Sequence, residues 1–390
     1  MIKRALETTL KQAARQYPVV LLTGPRQSGK TTLCRAVFHG KPYISFENPD
    51  YCEFARKDPR GLLDKYGEGA IFDEVQRCPD ILSYLQGIVD EHPGNGRYIL
   101  TGSQNILLLK SVQQSLAGRV AILRLPPFSY SEAAKTLASY SLDKILYAGG
   151  YPRIFDQKLE PTDYLRNYTA SYLERDVREI IHVKNLSSFQ KFLKLCAGRV
   201  GQILNLSSIG NDLGISHTTI REWLSVLETS YIVYLLPAYY RNFKKRIVKS
   251  PKLYFHDVGL ASYLLGIESS EYMSRDSLRG NLFENYVVTE TIKHFWSHGR
   301  NAPLYFFRDN IGNEVDLLIE KARQVAAIEI KAGQTVNSDW FKGLEYLKRV
   351  MGKTVLSRHL VYAGKEEYVR EGTQVLSFRG VSGMVGSIEK

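Results

Sequence analysis

Val19-Val20-Leu21-Leu22-Thr23-Gly24-Pro25-Arg26-Gln27-Ser28-Gly29-Lys30-Thr31-Thr32-Leu33-Cys34-Arg35-Ala36-Val37 is the stretch on which the reading of the whole chain turns. An apolar run leads into Thr23, the eight residues Gly24 to Thr31 fit GxxxxGK[ST], and a helical pattern opens at Thr32. The spacing predicts a buried strand, a glycine loop and a helix. In that context the glycines let backbone N–H groups curl around phosphates, Lys30 neutralises the β and γ charge, and the Thr31 hydroxyl ligates Mg²⁺. ATP with Mg²⁺ is therefore the expected cofactor pair, held by Gly24, Pro25, Arg26, Gln27, Ser28, Gly29, Lys30, Thr31 and Thr32.

Hydrolysis needs a second metal anchor and a group that handles water. Gly69-Ala70-Ile71-Phe72-Asp73-Glu74 supplies both on one apolar strand: Asp73 for the Mg²⁺, and Glu74 as base or water orienter. A further strand, Tyr98 to Leu100, ends in Thr101-Gly102-Ser103-Gln104 and would bring Gln104 beside the γ-phosphate if it lies between the other two. Arg119 is a candidate for transition-state charge, at its own or a neighbouring subunit's nucleotide; the plain alternative is a surface arginine.

Taken together, Leu22 to Thr32, Phe72-Asp73-Glu74-Val75-Gln76, Leu100 to Gln104 and Ala117-Gly118-Arg119 resemble a prokaryotic AAA-type P-loop ATPase family whose members carry a C-terminal domain of unknown function with nuclease-like features. The similarity extends through Gly149-Gly150-Tyr151-Pro152 and Tyr172-Leu173-Glu174-Arg175-Asp176-Val177. By that resemblance Lys30, Thr31, Asp73 and Glu74 take the nucleotide roles given above.

Composition agrees with a large globular chain. The 390 residues carry 52 Lys+Arg against 40 Asp+Glu, a formal charge of +12, and 44% are apolar. At roughly 100–200 residues per domain this means two or three domains. No apolar run reaches the roughly 20 residues that span a bilayer, and Met1-Ile2-Lys3-Arg4-Ala5-Leu6-Glu7 lacks a signal peptide's apolar segment. A cytoplasmic protein with no membrane partner is expected. Cys34, Cys52, Cys78 and Cys196 lie far apart without CxxC spacing, which fits reduced thiols rather than a zinc module or disulfide scaffold.

Changes of pattern divide the chain. Residues 1–130 alternate short apolar runs with helical stretches, as in a parallel α/β sheet; 131–185 read as a helical lid or linker, 186–270 as a winged-helix-like region, and 271–390 as a further α/β domain. In the middle region, Leu206 to Leu224 reads as helix, glycine turn, helix, with Ser216 as N-cap and Ile220, Trp223, Leu224 and Leu227 as the buried stripe. His217, Thr218 and Arg221 then face outward, where such a motif meets double-stranded DNA. The basic run Arg241 to Lys252 would add phosphate contacts. Alternatively the module makes only protein contacts and the run is a solvated hairpin.

The last third holds Gly312-Asn313-Glu314-Val315-Asp316-Leu317-Leu318-Ile319 and Ala326-Ala327-Ile328-Glu329-Ile330-Lys331, two strand-like runs around a charged turn. Side chains two apart share a face, so Glu329 and Lys331 point together, and a hairpin would bring Asp316 to them. Asp316 and Glu329 are then metal ligands, Glu284 from the preceding helix is a third, and Lys331 orients water or stabilises charge. This resembles the PD-(D/E)xK arrangement and implies a restriction-endonuclease-like domain. Two functions follow: an ATPase whose nucleotide state controls a DNA-binding or DNA-cleaving half, or a nucleotide-dependent protein-interaction switch with an inactive nuclease-like domain; a homo-oligomer is compatible with either.

Overall fold

The computed structural model describes residues 2–102, 112, 114–173, 186–239 and 250–390. They form two compact units: Met1–Phe128 with Thr229–Tyr231 and Phe295–Arg300, and Ser129–Glu228 with Ile232–His294 and Asn301–Lys390.

The first unit is built on five parallel strands, β1 (Val19–Thr23), β2 (Tyr43–Ser45), β3 (Ala70–Asp73), β4 (Tyr98–Thr101) and β5 (Val120–Arg124), in the order β2-β3-β4-β1-β5. A parallel sheet covered on both faces needs apolar residues at every position, which is why β1, β3 and β4 read as unbroken apolar runs. Alternation sorts those side chains. Val19, Leu21, Phe72 and Leu100 join a core with Leu62, Leu63, Ile81, Leu82 and Leu85, from helices Pro59–Lys65 and Ile81–Glu91. Val20, Leu22, Ile71 and Ile99 face the other way, onto Leu6, Leu10, Leu33 and Cys34 of helices Leu6–Gln16 and Lys30–Val37. Because β4 lies between β1 and β3, the carboxyl ends of all three strands open on one edge, the position where open α/β sheets bind ligands.

The second unit contains helix Leu206–Leu213 and most of helix His217–Thr229, followed by an antiparallel ribbon of β6 (Val233–Leu236) and β7 (Lys252–Phe255). Asn205 caps the first helix, Gly214 in the left-handed region ends it, and Ser216 Oγ accepts from Thr219 N at 3.2 Å to start the second. Ile220, Trp223, Leu224 and Leu227 are buried, while His217, Thr218 and Arg221 are exposed. The basic residues Arg241 to Lys249 lie outside the described residues.

Beyond these comes a six-stranded mixed sheet of β8 (Leu304–Arg308), β9 (Glu314–Lys321), β10 (Gln324–Lys331), β11 (Val355–Tyr362), β12 (Tyr368–Arg370) and β13 (Thr373–Ser377), ordered β12-β13-β11-β10-β9-β8. β9 and β10 form a hairpin in which Lys321 pairs with Gln324. Its two turn residues, Ala322 and Arg323, both have positive φ (48° and 70°), the twist-matched geometry of a two-residue turn. Val315, Leu318, Val325 and Ala327 pack under Leu344 and Leu347 of helix Lys342–Met351. The hairpin register, running from Gln324 against Lys321 to Ile328 against Leu317, turns Asp316 and Glu329 to a common side.

Candidate functional site

The loop after β1 is shaped by three positive-φ residues, Gly24 (143°), Gln27 (59°) and Gly29 (93°). Gly24 is required twice over, because a Cβ there would stand 2.3 Å from the Leu125 carbonyl oxygen. Gly29 caps helix Lys30–Val37 in the left-handed conformation, leaving the helix's first N–H groups pointed at the loop. Lys30 is buried, and its Nζ donates to the carbonyls of Gly24 (3.0 Å) and Pro25 (2.9 Å). Burial drives its pKa down, and the nearby Glu74 and Asp73 only partly oppose that. The Ser28 hydroxyl is buried with no hydrogen-bond partner. An unpaired polar atom of this kind is costly unless the loop is built to receive a polar ligand. Thr32 follows on the exposed side of the first helical turn.

Asp73 ends β3 and is buried. Three hydroxyls donate to its carboxylate: Thr31 Oγ1 at 3.0 Å and Tyr43 at 2.6 Å to Oδ2, and Thr101 Oγ1 to Oδ1. The hydroxyl and carboxylate predicted for Mg²⁺ are therefore adjacent, and both are the hard oxygen ligands that ion prefers. Glu74 follows in the left-handed region (φ 57°) and accepts from Gln76 Nε2. Burial, then the bond to Asp73, raises the Tyr43 phenol above its ordinary range.

Tyr43 and Arg4 were not legible as site residues. Arg4 donates to the carbonyls of Ser28 (2.7 Å) and Pro126 (2.6 Å), tying the loop to the chain beyond β5. No local motif marks an arginine 24 positions away for that task. Thr101 carried a weak signal, since a polar residue closes an apolar strand. Gln104 lies outside the described residues.

Arg119 lies away from the loop. Its carbonyl accepts from Val19 N (3.2 Å), so it stands at the amino end of the sheet, whereas the loop leaves the carboxyl end. Five strand residues at about 3.3 Å each put roughly 16 Å between them. Its guanidinium instead holds Asp90 through two bonds, Nε to Oδ1 at 2.5 Å and Nη2 to Oδ2 at 2.8 Å. That distance separates it from its own chain's glycine loop.

The C-terminal acids do converge, but around a lysine. Lys252, last residue of the basic run expected either to contact phosphates or to lie in a solvated hairpin, is 3% exposed and lies 2.8 Å from Glu284 Oε1 and 2.5 Å from Glu314 Oε1. Lys331 Nζ meets Glu329 Oε1 at 2.5 Å and Asp316 Oδ2 at 3.6 Å, and Ile330 N donates to Asp316 Oδ2 at 2.8 Å. Burial raises the carboxyl pKa of Glu284 and of Glu329, partly opposed by Lys252 and Lys331 respectively. Burial alone would lower both lysines, yet the acids around them push the net shift upward. Chain cations thus lie against Glu284, Asp316 and Glu329, the three acids expected to hold a metal ion. Glu314 and Lys252 were missed, the first because its neighbour Asp316 fitted the motif, the second because its burial is tertiary.

Residues 16–134 match the family described as an AAA domain. The amino-terminal unit carries an AAA-type P-loop ATPase-like domain. Residues 139–271 and 279–380 match two domains of unknown function, DUF8612 and DUF4143. An uncharacterized protein of Mycobacterium tuberculosis is 29% identical over 336 residues, covering 85% of this chain and 74% of its own. One from Haemophilus influenzae is 26% identical over 349 residues, covering 80% and 82%. Among solved structures, the Walker-type ATPase of Pyrococcus abyssi aligns with a TM-score of 0.47 at 15% identity, over 68% of this chain and 96% of that one. No described helix is long and apolar enough to cross a membrane.

Proposed function

We propose that this chain binds ATP with Mg²⁺ and hydrolyses it, and that the nucleotide state controls its C-terminal half. One observation carries the first part: the glycine loop, with the unpaired Ser28 hydroxyl and the Thr31 hydroxyl against Asp73, is assembled at the carboxyl ends of β1 and β3, the two parallel strands that flank β4. Backbone N–H groups of Gln27 to Thr31 would receive the phosphates, and Lys30 would leave its two carbonyl partners for the β and γ oxygens. Thr31 and Asp73 would hold Mg²⁺, which supplies charge neutralisation when bound. Glu74, freed from Gln76, would orient water or take its proton. In calorimetry, Lys30→Ala should lose nucleotide binding, while Glu74→Gln should bind ATP and fail to turn it over. Undiminished turnover in Glu74→Gln would refute the assignment.

For the C-terminal half, the exposed His217, Thr218 and Arg221 at the start of their helix support contact with double-stranded DNA. Affinity should then fall steeply with salt, and Arg221→Ala should weaken it; salt-independent or absent binding would remove DNA from the account. The second reading, a protein-interaction switch whose nuclease-like half does not cleave, is favoured by the burial of Lys252 among the acids. Homo-oligomerisation, with Arg119 serving a neighbouring subunit, belongs to either reading.

A further inference from the structure

Three carboxylates from two elements surround one ammonium that enters from a third, and a fourth carboxylate beside them is held by a second lysine. Glu284 comes from helix Arg279–Ser297, Glu314 and Asp316 from β9, Glu329 from β10, and Lys252 opens β7. Besides its close contacts to Glu284 and Glu314, Lys252 Nζ stands 3.9 Å from Asp316 Oδ1. Lys331 covers Glu329 and the other Asp316 oxygen, and Arg308 Nη1 reaches Glu314 Oε2 at 3.0 Å. Each of the four acids thus faces a cation belonging to the chain. Glu329 Oε2 is buried and has no partner.

A divalent ion of the Mg²⁺ type needs oxygen ligands at about 2.0–2.1 Å in near-octahedral array and keeps several waters. Here Glu284 Oε1 and Glu314 Oε1 already converge on Nζ of Lys252, from which screening water is excluded by burial. A second cation placed among the same oxygens would be repelled by that fixed charge. Among the described residues, no group of three or more His, Cys, Asp and Glu side chains is arranged to hold a metal.

We propose that Lys252 is the resident cation of this centre, its ammonium standing in for the divalent ion, so that the four acids form a closed, metal-free core of the C-terminal sheet. The proposal rests on the non-cleaving reading above and gives its cause. The side chain is suited to this: a compact ammonium whose Nζ lies over the Phe306 ring, 5.6 Å from its centroid. Replacing it with methionine keeps the stem and removes the charge, leaving acids that need a cation from solution.

The test uses the full chain carrying Asp73→Asn, to silence the metal position at the glycine loop, without nucleotide. MnCl₂ is titrated to about 1 mM and free Mn²⁺ is read by electron paramagnetic resonance. The parent should bind none. Adding Lys252→Met should create one Mn²⁺ site at least about tenfold tighter than that limit, and adding Asp316→Asn should abolish it. Should Lys252→Met fail to fold without metal, Lys252→Gln replaces it, and melting temperature with and without Mn²⁺ is the second readout: Mn²⁺ should raise it in the variant and not in the parent. One Mn²⁺ bound by the parent and lost with Asp316→Asn overturns the proposal, as does a folded Lys252 variant that takes up no Mn²⁺. Mn²⁺ binding by the parent without cleavage of DNA sinks the resident-cation role alone. Cleavage that disappears in Lys331→Ala sinks the non-cleaving reading too.

Discussion

Gly24→Ala tests the stereochemistry on which the nucleotide site is built. The residue holds φ 143°, and the added Cβ would lie 2.3 Å from the Leu125 carbonyl oxygen, where ordinary C···O approaches are about 3.3–3.6 Å. Loop and strand end must therefore separate by about 1 Å. That strains the backbone by about 1–3 kcal/mol and weakens the bond from Leu125 N to Thr23 O, now 2.8 Å, worth about 1 kcal/mol. A loss of about 2–4 kcal/mol is a large part of a typical stability of about 5–15 kcal/mol. Urea unfolding should show this loss, and calorimetry should show ATP affinity reduced at least about tenfold, since the N–H groups move with the loop. Gly40→Ala, with nothing within 4 Å of its Cβ, serves as the control. Wild-type stability and affinity in Gly24→Ala would refute the reasoning.

Three other outcomes are expected. His359 is buried on β11 with Nδ1 unpaired, and burial lowers its pKa from an ordinary 6.5 to about 4. The neutral ring's contribution is therefore complete above pH 6.5 and is lost as pH falls through about 4, a difference of about 3 kcal/mol; unfolding of His359→Gln should lack that acid-side fall, and parallel curves for the two proteins would contradict it. Arg4→Met should leave the Ser28 and Pro126 carbonyls without their donor and cost about 2–3 kcal/mol by denaturant titration; a loss under about 0.5 kcal/mol would show the tie to be idle. Cys52 Sγ and Cys78 Sγ lie 2.8 Å apart, and burial pushes the Cys78 thiol up to about 12. Diamide should join them slowly at neutral pH and faster at high pH, each bond removing two thiols as diamide becomes the hydrazine; peptide mapping that finds both cysteines still free would refute this.

The nucleotide loop could be read from residues because its chemistry is local. Eight consecutive positions, one apolar strand before them and one helix after them contain the turn geometry, the lysine and the hydroxyl. Asp73 was legible for a similar reason, since an acid closing a buried strand has few structural uses. The hairpin that aligns Asp316 with Glu329 was equally available, because two-residue alternation sets both faces. Periodicity likewise gave the buried stripe Ile220, Trp223, Leu224 and Leu227.

What tertiary structure alone decided is which groups from distant positions share one small volume. Strand order put Thr101 and Tyr43 on Asp73, and chain direction carried Arg119 to the wrong end of the sheet for its own nucleotide. Packing brought together two cysteines 26 positions apart. Above all, it buried Lys252 among acids that by spacing alone read as metal ligands. A motif records the donors that a cation would need, but a charge arriving from another strand determines whether any place remains for it. Coulomb energy depends on distance through space and on exclusion of water, and separation along the chain fixes neither.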